Sequence, residues 1–347
     1  MPRTIWFNKN FSSLYNIVRL IKEGDAKEDF RILCTHENPE FVGFEVADAF
    51  EVEDSRIGEA EYIAYCLDVC SRHDVSLFLP SKKMTDIARH REVFSRNGVE
   101  VLVCADHATL DIINDKAAFY AALSGSGLEI PEHHGVNTLQ EFDEACAKLR
   151  QAGKRICFKP ARSIYGLGFK IVKDDLRDID AFLSGDAISV TMREAREKLA
   201  SVERFRTLLV MEHLEGPEYS VDCLAKDGRL VRGAVREKPQ RAGGAQLLLR
   251  NDPMMRMAET LTRRFNLSGL FNVQARCAQG IPKLLEINPR MAGGIYFSCL
   301  SGVNYPYWGI RLALESCEAE IPEARYGFRV NQVYHPFELR RQPEGAQ

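Results

Sequence analysis

The sequence predicts an α/β protein, and three features carry that prediction. Over the first hundred residues, apolar strand-like runs at Thr4–Phe7, Phe30–Cys34, Ser76–Pro80 and Val99–Cys104 alternate with helical periodicities at Leu14–Ile21, Ala60–Cys70 and Thr85–Phe94, the pattern of a parallel sheet with crossover helices. Farther along, Asp227-Gly228 and Gln279-Gly280 each stand between apolar runs, as hairpin turns do, so an antiparallel substructure follows the parallel unit. Finally, 347 residues with 45% hydrophobic and 27% charged side chains are enough to bury large cores in two or three units.

A formal charge of −3 and a pI near 6.3 argue against a broadly basic surface, so no nucleic-acid partner is expected. Met1-Pro-Arg-Thr-Ile-Trp6 has no signal-like apolar segment, and no run of about 18 apolar residues suggests a membrane span. A cytoplasmic location without a membrane partner is expected. The ten cysteines are scattered through apolar periodic segments without a CxxC repeat; buried free thiols account for them better than disulfides or zinc.

In the parallel unit, Asn8-Lys9-Asn10 follows the first strand where a dinucleotide site would carry glycines. Loops at carboxyl strand ends favour ligand contact, which points to Asn8, Lys9 and Ser81–Lys83; ordinary solvated loops explain them as well. A linker is expected near Ala108–Ile113. Asn114-Asp-Lys116 then opens a helix through Leu123, closed by Gly125 and Gly127. Thr138 and Glu141 have capping-box spacing for a helix reaching Leu149.

Lys154–Lys159 and Phe169–Val172 read as strands around the turn Pro160–Gly168. Backbone N–H groups in such a turn can cradle phosphate oxygens, with Lys159 adding charge; a plain hairpin turn has the same composition. An exposed helix over Met192–Phe205, an apolar strand Leu208–Glu212 and a hairpin of Tyr219–Ala225 with Leu230–Arg236 come next. The loop from Arg236 to Gly244 carries Lys238 and Arg241, able to hold an anionic substrate or to remain a solvated turn. In the helix Pro253–Phe265, Met254, Met257 and Leu261 form a packing stripe.

The stretch Gly269–Arg290 is the most informative. Phe271, Val273, Ala275 and Cys277 alternate with Asn272, Gln274 and Arg276, a half-buried strand that turns at Gln279-Gly280 and returns through Lys283–Ile287. That closure brings Gln274 near Glu286 and Asn288, with Arg290 one step beyond. Amide and carboxylate oxygens are hard ligands suited to Mg²⁺, and arginine suits phosphate; a surface ion pair beyond a hairpin is the plainer alternative. A short strand over Arg329–Tyr334 ends the pattern.

Taken in order, Asn114-Asp-Lys116, Lys159-Pro160 with Tyr165-Gly-Leu-Gly168, Met211-Glu-His-Leu-Glu-Gly-Pro-Glu-Tyr-Ser-Val-Asp222, Asn272-Val-Gln274 and Leu285-Glu-Ile-Asn-Pro-Arg290 resemble the ATP-grasp superfamily. The likeness is to its carbamoyl-phosphate-synthase-like and carboxylate–amine-ligase members, and to a branch associated with tellurite-resistance gene neighbourhoods. The resemblance implies a pre-ATP-grasp α/β domain over 1–110, a small lobe with a phosphate-covering loop over 111–210, and a large lobe with the metal site over 211–347, the two α+β lobes enclosing an ATP cleft. It implies ATP-phosphate contacts from Lys116 and Lys159 and a mobile loop containing Tyr165, Gly166 and Gly168. Met211, Glu212, His213 and Leu214 would form the adenine hinge, and Glu218 would accept from the ribose. Gln274, Glu286 and Asn288 would hold one or two Mg²⁺, with Mn²⁺ able to substitute.

Arg290 would stabilise the transferring phosphoryl group, and Arg236 with Lys238 would face the acceptor. The implied activity is ligation of a small-molecule carboxylate to an amine or thiol through an acyl phosphate. The alternatives are a non-catalytic nucleotide-binding regulator and a kinase-like phosphoryl transferase. Two departures stand out: the loop Arg162–Gly168 is poor in glycine, and Gln274 replaces the acid many members use as first metal ligand. The apolar layers leave room for a homodimer.

Overall fold

The computed structural model describes residues 1–163, 166–174, 183, 186–241 and 243–340. The chain divides into two compact units, one built from residues 1–110, 219–274 and 287 onward, the other from 111–218 and 275–286.

In the first unit, β1 (Arg3–Asn8), β2 (Phe30–His36), β3 (Ala49–Val52), β4 (Val75–Leu79) and β5 (Glu100–Val101) form a parallel sheet of order β3-β2-β1-β4-β5. The chain winds outward from β1 through β2 to β3, then crosses to β4 and β5. This is a doubly wound layout with its switch point between β1 and β4. The helix Leu14–Gly24 buries Leu14, Ile17, Val18 and Ile21 because their three-to-four-residue spacing gives one apolar face. They join a core with Ile5, Phe7, Ile32 and Leu77. Each such fully buried large apolar side chain contributes about 1.5–3 kcal/mol.

The second unit carries β6 (His133–Val136), β7 (Ile156–Pro160), β8 (Lys170–Val172), β9 (Ser189–Val190) and β10 (Leu208–Glu212) in the order β6-β10-β7-β8-β9. β10 is antiparallel to both β6 and β7. The helix Leu139–Gln151 starts at the expected capping box: Thr138 Oγ1 accepts from Glu141 N at 3.2 Å, and the Glu141 carboxylate accepts from Thr138 N at 3.2 Å. Its buried face of Phe142, Ala145, Cys146 and Leu149 packs with Phe158 and Val210.

A six-stranded sheet joins β11 (Glu218–Lys226), β12 (Arg229–Glu237), β13 (Gln246–Leu248), β14 (Gly269–Ala278), β15 (Ile281–Asn288) and β16 (Phe328–Val330) in the order β15-β14-β11-β12-β13-β16. Both expected hairpin turns form with left-handed residues, Asp227 and Gly228 at φ 48° and 75°, and Gln279 and Gly280 at 51° and 80°. Such φ values match the turn to the twist of the flanking strands.

The structure corrects several local expectations. Thr85–Phe94 is two short helices, Met84–Arg89 and Arg91–Arg96, broken at His90. The boundary between the two units falls at Leu110, within the expected linker Ala108–Ile113, and the chain passes it as the helix His107–Asn114. The exposed helix from Met192 ends at Leu199, and the last strand ends at Val330. β3, β6, β9 and β13 have four residues or fewer, too short for a period-two signal. All ten cysteines are free and buried. Among the described residues no helix is long and apolar enough to cross a membrane.

Candidate functional site

Lys116 opens the helix Lys116–Ala122, whose N-cap Asp115 accepts from the backbone N–H of Ala117 and Ala118. Aspartate favours that position because its side chain satisfies orphan N–H groups. Two bonds fix where the lysine stands: Lys116 N donates to Ala161 O at 3.0 Å, and buried Tyr120 donates its hydroxyl to Leu285 O at 2.9 Å. The ammonium, on a side chain only 9% exposed, donates to Ser163 O at 3.0 Å and lies 3.5 Å from Glu286 Oε2.

Lys159, near the end of β7, lies within electrostatic reach of the same carboxylate. Burial lowers its ammonium below the ordinary lysine value, Glu286 partly restores it, and Lys116 lowers it again. Lys116 pairs with Glu286, and Lys159 adds a second positive charge within electrostatic reach of both. A site with that balance favours an anion.

The segment after Lys159 doubles back on itself. Gly168 sits at φ 80°, and a Cβ there would lie 2.8 Å from the Pro160 ring, while Gly166 is at φ 68° with open space around it. Glycine meets both demands at no steric cost. Phe169 N donates to Gly166 O at 3.0 Å. Tyr165, expected in this loop, lies outside the described residues.

At the end of β10, Met211 and Leu214 are buried, and Glu212 is locked. Its carboxylate accepts from Lys154 at 3.1 Å, from Glu132 N at 3.1 Å and from Lys283. Burial raises the Glu212 carboxyl, but these partners outweigh it and hold the group below its usual range. His213 donates its backbone N–H to Arg155 O at 2.7 Å. Burial, with Arg276 and Arg155 nearby, lowers its imidazole pKa, so the ring is neutral at pH 7. Its buried Nδ1 has no hydrogen-bond partner among the described residues. Gly216 lets this connector touch β14: its N–H donates to Cys277 O at 3.0 Å, and a Cβ would stand 2.7 Å from that oxygen. Glu218, half-buried, begins β11.

On the hairpin of β14 and β15, Asn272 is wholly buried and donates its Nδ2 to Ser220 Oγ (2.9 Å), Val221 O (3.1 Å) and Asp222 Oδ1 (2.8 Å). Three acceptors around Nδ2 fix which end of the amide is nitrogen. Asn272 Oδ1 therefore accepts from Gln274 Nε2, at 3.3 Å, and Gln274 keeps its own oxygen for another partner. Glu286 and Asn288, two apart on β15, point to one face of that strand. Arg290 follows, its Nη1 donating to Met291 O at 2.9 Å and its backbone N–H to Asn288 O at 2.7 Å.

The expected metal ligands thus comprise one carboxylate and two amides, and no group of three or more His, Cys, Asp or Glu able to hold a metal occurs among the described residues. That donor set fits a hard, oxygen-seeking ion such as Mg²⁺, which keeps waters and substrate phosphates as further ligands. It suits a soft metal poorly.

Arg236 departs from expectation. It is 2% exposed, and its guanidinium donates to Asp222 Oδ2 at 2.8 and 3.1 Å, to Ser298 Oγ at 2.8 Å, to Ser220 Oγ at 3.3 Å and to Gln246. An open clamp for a substrate carboxylate is therefore replaced by an internal tie. Lys238 lies half-buried in the loop between β12 and β13, and Arg241 is exposed there.

Sequence reasoning missed this tie and the locking of Glu212 by Lys154 and Lys283. The available signal was Asp222, an acid inside the apolar run of β11: a buried carboxylate requires a cation.

A family model described as "ATP-grasp in the biosynthetic pathway with Ter operon" matches residues 204–336. The carbamoyl phosphate synthase large chain of Gemmatimonas aurantiaca is 25% identical over 312 residues, covering 85% of this chain and 26% of that one. The arginine-specific large chain of Bacillus subtilis is 20% identical over 293 residues, covering 81% and 26%. The chain thus spans about a quarter of the length of these relatives.

Among solved structures, the ADP complex of an N5-carboxyaminoimidazole ribonucleotide synthetase superposes with a TM-score of 0.66 at 14% identity, covering 94% of this chain and 80% of that one. An L-amino acid ligase from Bacillus licheniformis superposes at 0.64 with 15% identity, covering 92% and 77%. The structural likeness establishes the fold that this chain shares with these enzymes, and the ATP-grasp family model matches its β10 to β16 region.

Proposed function

We propose that the protein is an ATP- and Mg²⁺-dependent ligase that joins a small-molecule carboxylate to an amine, or to a thiol, through an acyl phosphate. The observation that carries this reading is the pairing of Lys116 with Glu286 and the second positive charge of Lys159 within electrostatic reach of both, beside Gly166 and Gly168 at left-handed φ.

In this reading the two lysines and the loop N–H groups bind the ATP phosphates, Met211–Leu214 receive the adenine, and Glu218 accepts from the ribose hydroxyls. Mg²⁺, held through Gln274, Glu286 and Asn288, would supply neutralisation of the phosphoryl oxygens, a role Mn²⁺ also fills. A substrate carboxylate oxygen attacks the γ-phosphorus as the bond to the bridging oxygen breaks and ADP departs. Arg290 offsets charge on the transferring group. The amine lone pair then attacks the acyl carbon, phosphate leaves with the bonding pair, and the amine proton passes to solvent. Lys238 and Arg241 remain for the acceptor side, with Arg236 shaping their strand from within.

The test is purified protein with ATP, Mg²⁺ and pooled carboxylates and amines, read by mass spectrometry. Release of ADP that requires both pools, with a new amide, is expected. Tight ATP binding without turnover across the pools would replace ligation by a nucleotide-binding regulatory role, and a stable phosphorylated product would replace it by kinase-like transfer.

A further inference from the structure

The carboxyl edge of the parallel sheet holds a second charged cluster, at the switch point between β1 and β4. Its floor is rigid. Asn8, wholly buried at the end of β1, accepts on Oδ1 from the N–H groups of Ser81 (2.6 Å) and Lys82 (3.2 Å), and donates Nδ2 to Tyr62 Oη (3.0 Å) and Lys82 O (3.1 Å). Glu53, whose side chain is 0% exposed, accepts from Thr35 Oγ1 at 2.7 Å and from Tyr62 Oη at 3.2 Å. These groups aim Lys82, whose ammonium lies 3.3 Å from Glu53 and 4.5 Å above the centre of the Tyr62 ring.

The solvent side is different. Lys82 and Lys9 grip a single carboxylate, that of Glu37, one oxygen each: Oε1 at 2.5 Å from Lys82 and Oε2 at 2.6 Å from Lys9. Glu37 lies in a bend just after β2 and its side chain is 23% exposed, whereas Lys82 is 17% exposed. The two lysines hold its carboxyl below the usual carboxylate range. With Glu37 set aside, Lys9, Lys82 and Glu53 sum to one positive charge, matched by one carboxylate. The two ammonium groups already stand at the separation one carboxylate requires. Carboxyl ends of parallel strands at a switch point are also where open α/β sheets bind ligands.

We propose that this cluster is a binding site for the carboxylate of a small molecule, and that Glu37 is an internal stand-in which the incoming carboxylate displaces. Exchange keeps both lysine contacts and the local charge while the Asn8–Glu53–Tyr62 floor stays in place. The site lies within the first unit and does not depend on the nucleotide reading.

The test titrates acetate, with inorganic phosphate as the alternative arm, against the full-length chain at constant ionic strength in chloride, without nucleotide or Mg²⁺. Binding is read by calorimetry and by the thermal unfolding midpoint. Removing a tethered competitor strengthens an external ligand through the lost effective concentration, so Glu37→Gln is expected to bind acetate at least about tenfold more tightly than the wild type. Adding Lys82→Met to Glu37→Gln should abolish the gain; if that pair fails to fold, Lys9→Met in its place must do so. A gain seen with phosphate and not with acetate would overturn the carboxylate assignment. No gain in Glu37→Gln, or a gain that survives the added lysine substitution, would make the cluster a structural latch and overturn the site.

Discussion

The Lys116–Lys159 cluster and the Arg236 cluster are both built on cations, yet among the described residues only the first has charge left over. Around Arg236, one guanidinium meets one buried carboxylate, Asp222, and its remaining donors reach Ser298, Ser220 and Gln246. Around Lys116, whose ammonium lies 3.5 Å from Glu286, Lys159 adds a second positive charge within electrostatic reach of both. A neutral, fully bonded pair holds strands together, because breaking it strands a buried charge. An unbalanced pair is costly to keep empty, and an arriving phosphate relieves that cost.

The largest expected effect falls on the balanced cluster. Arg236→Met should destabilise the fold by about 3–5 kcal/mol, the usual cost of removing one partner of a buried pair, measured by urea unfolding. Adding Asp222→Leu should recover much of the loss, since replacing both partners with apolar groups removes the stranded charge. A double variant no better than the single would break the comparison. Lys116→Met should do the reverse: ATP-dependent turnover falls about 100-fold, as when one donor to a developing charge is lost, with little change in unfolding. Equal damage to stability and turnover in both variants would erase the distinction.

A smaller effect tests whether the balanced cluster also serves the site. Asn272 bonds to Asp222 on one side and orients Gln274 on the other. Asn272→Ala frees the Gln274 amide to rotate, so Mn²⁺ affinity measured with ADP present should fall about 10–100-fold, as for other partners that orient a metal ligand. Metal-free ADP binding should hold. Paramagnetic titration of Mn²⁺ reads the difference directly.

What could be read from sequence followed the range of each interaction. Helices with strong three-to-four periodicity, such as Leu14–Gly24, and turns with left-handed residues, such as Asp227-Gly228, are local and were legible. β3 and β13 are held by neighbouring strands rather than by their own pattern, so a four-residue or three-residue run gave no signal. The same holds for the candidate site. Lys116, Lys159 and Glu286 all fall in the second unit, with the Lys116 ammonium 3.5 Å from Glu286. Arg236 could not be placed, because residue type says that a guanidinium can bind a carboxylate and not whether Asp222, Ser298 and Gln246 already occupy its donors.

The smallest expected effect is the sharpest separation of the two clusters. Burial lowers the folded-state pKa of Lys159. The native state therefore binds fewer protons than the unfolded chain between that lowered value and the ordinary lysine value, and stability rises with pH across that window. Below the window, at neutral pH, the charged lysine carries its full destabilising penalty. Lys159→Met removes that penalty and should stabilise the nucleotide-free protein by about 0.5–2 kcal/mol, the range common for relieving strain at a functional site, while weakening ATP binding. It should also flatten the alkaline rise in stability. In the wild type, nucleotide affinity should fall at a pH below the ordinary lysine value, since phosphate needs the ammonium charged, and that fall should vanish in the variant. Unfolding midpoints and ADP affinities across neutral and alkaline pH measure both arms. A Lys159→Met protein less stable than the wild type would show that this lysine, like Arg236, is part of the scaffold.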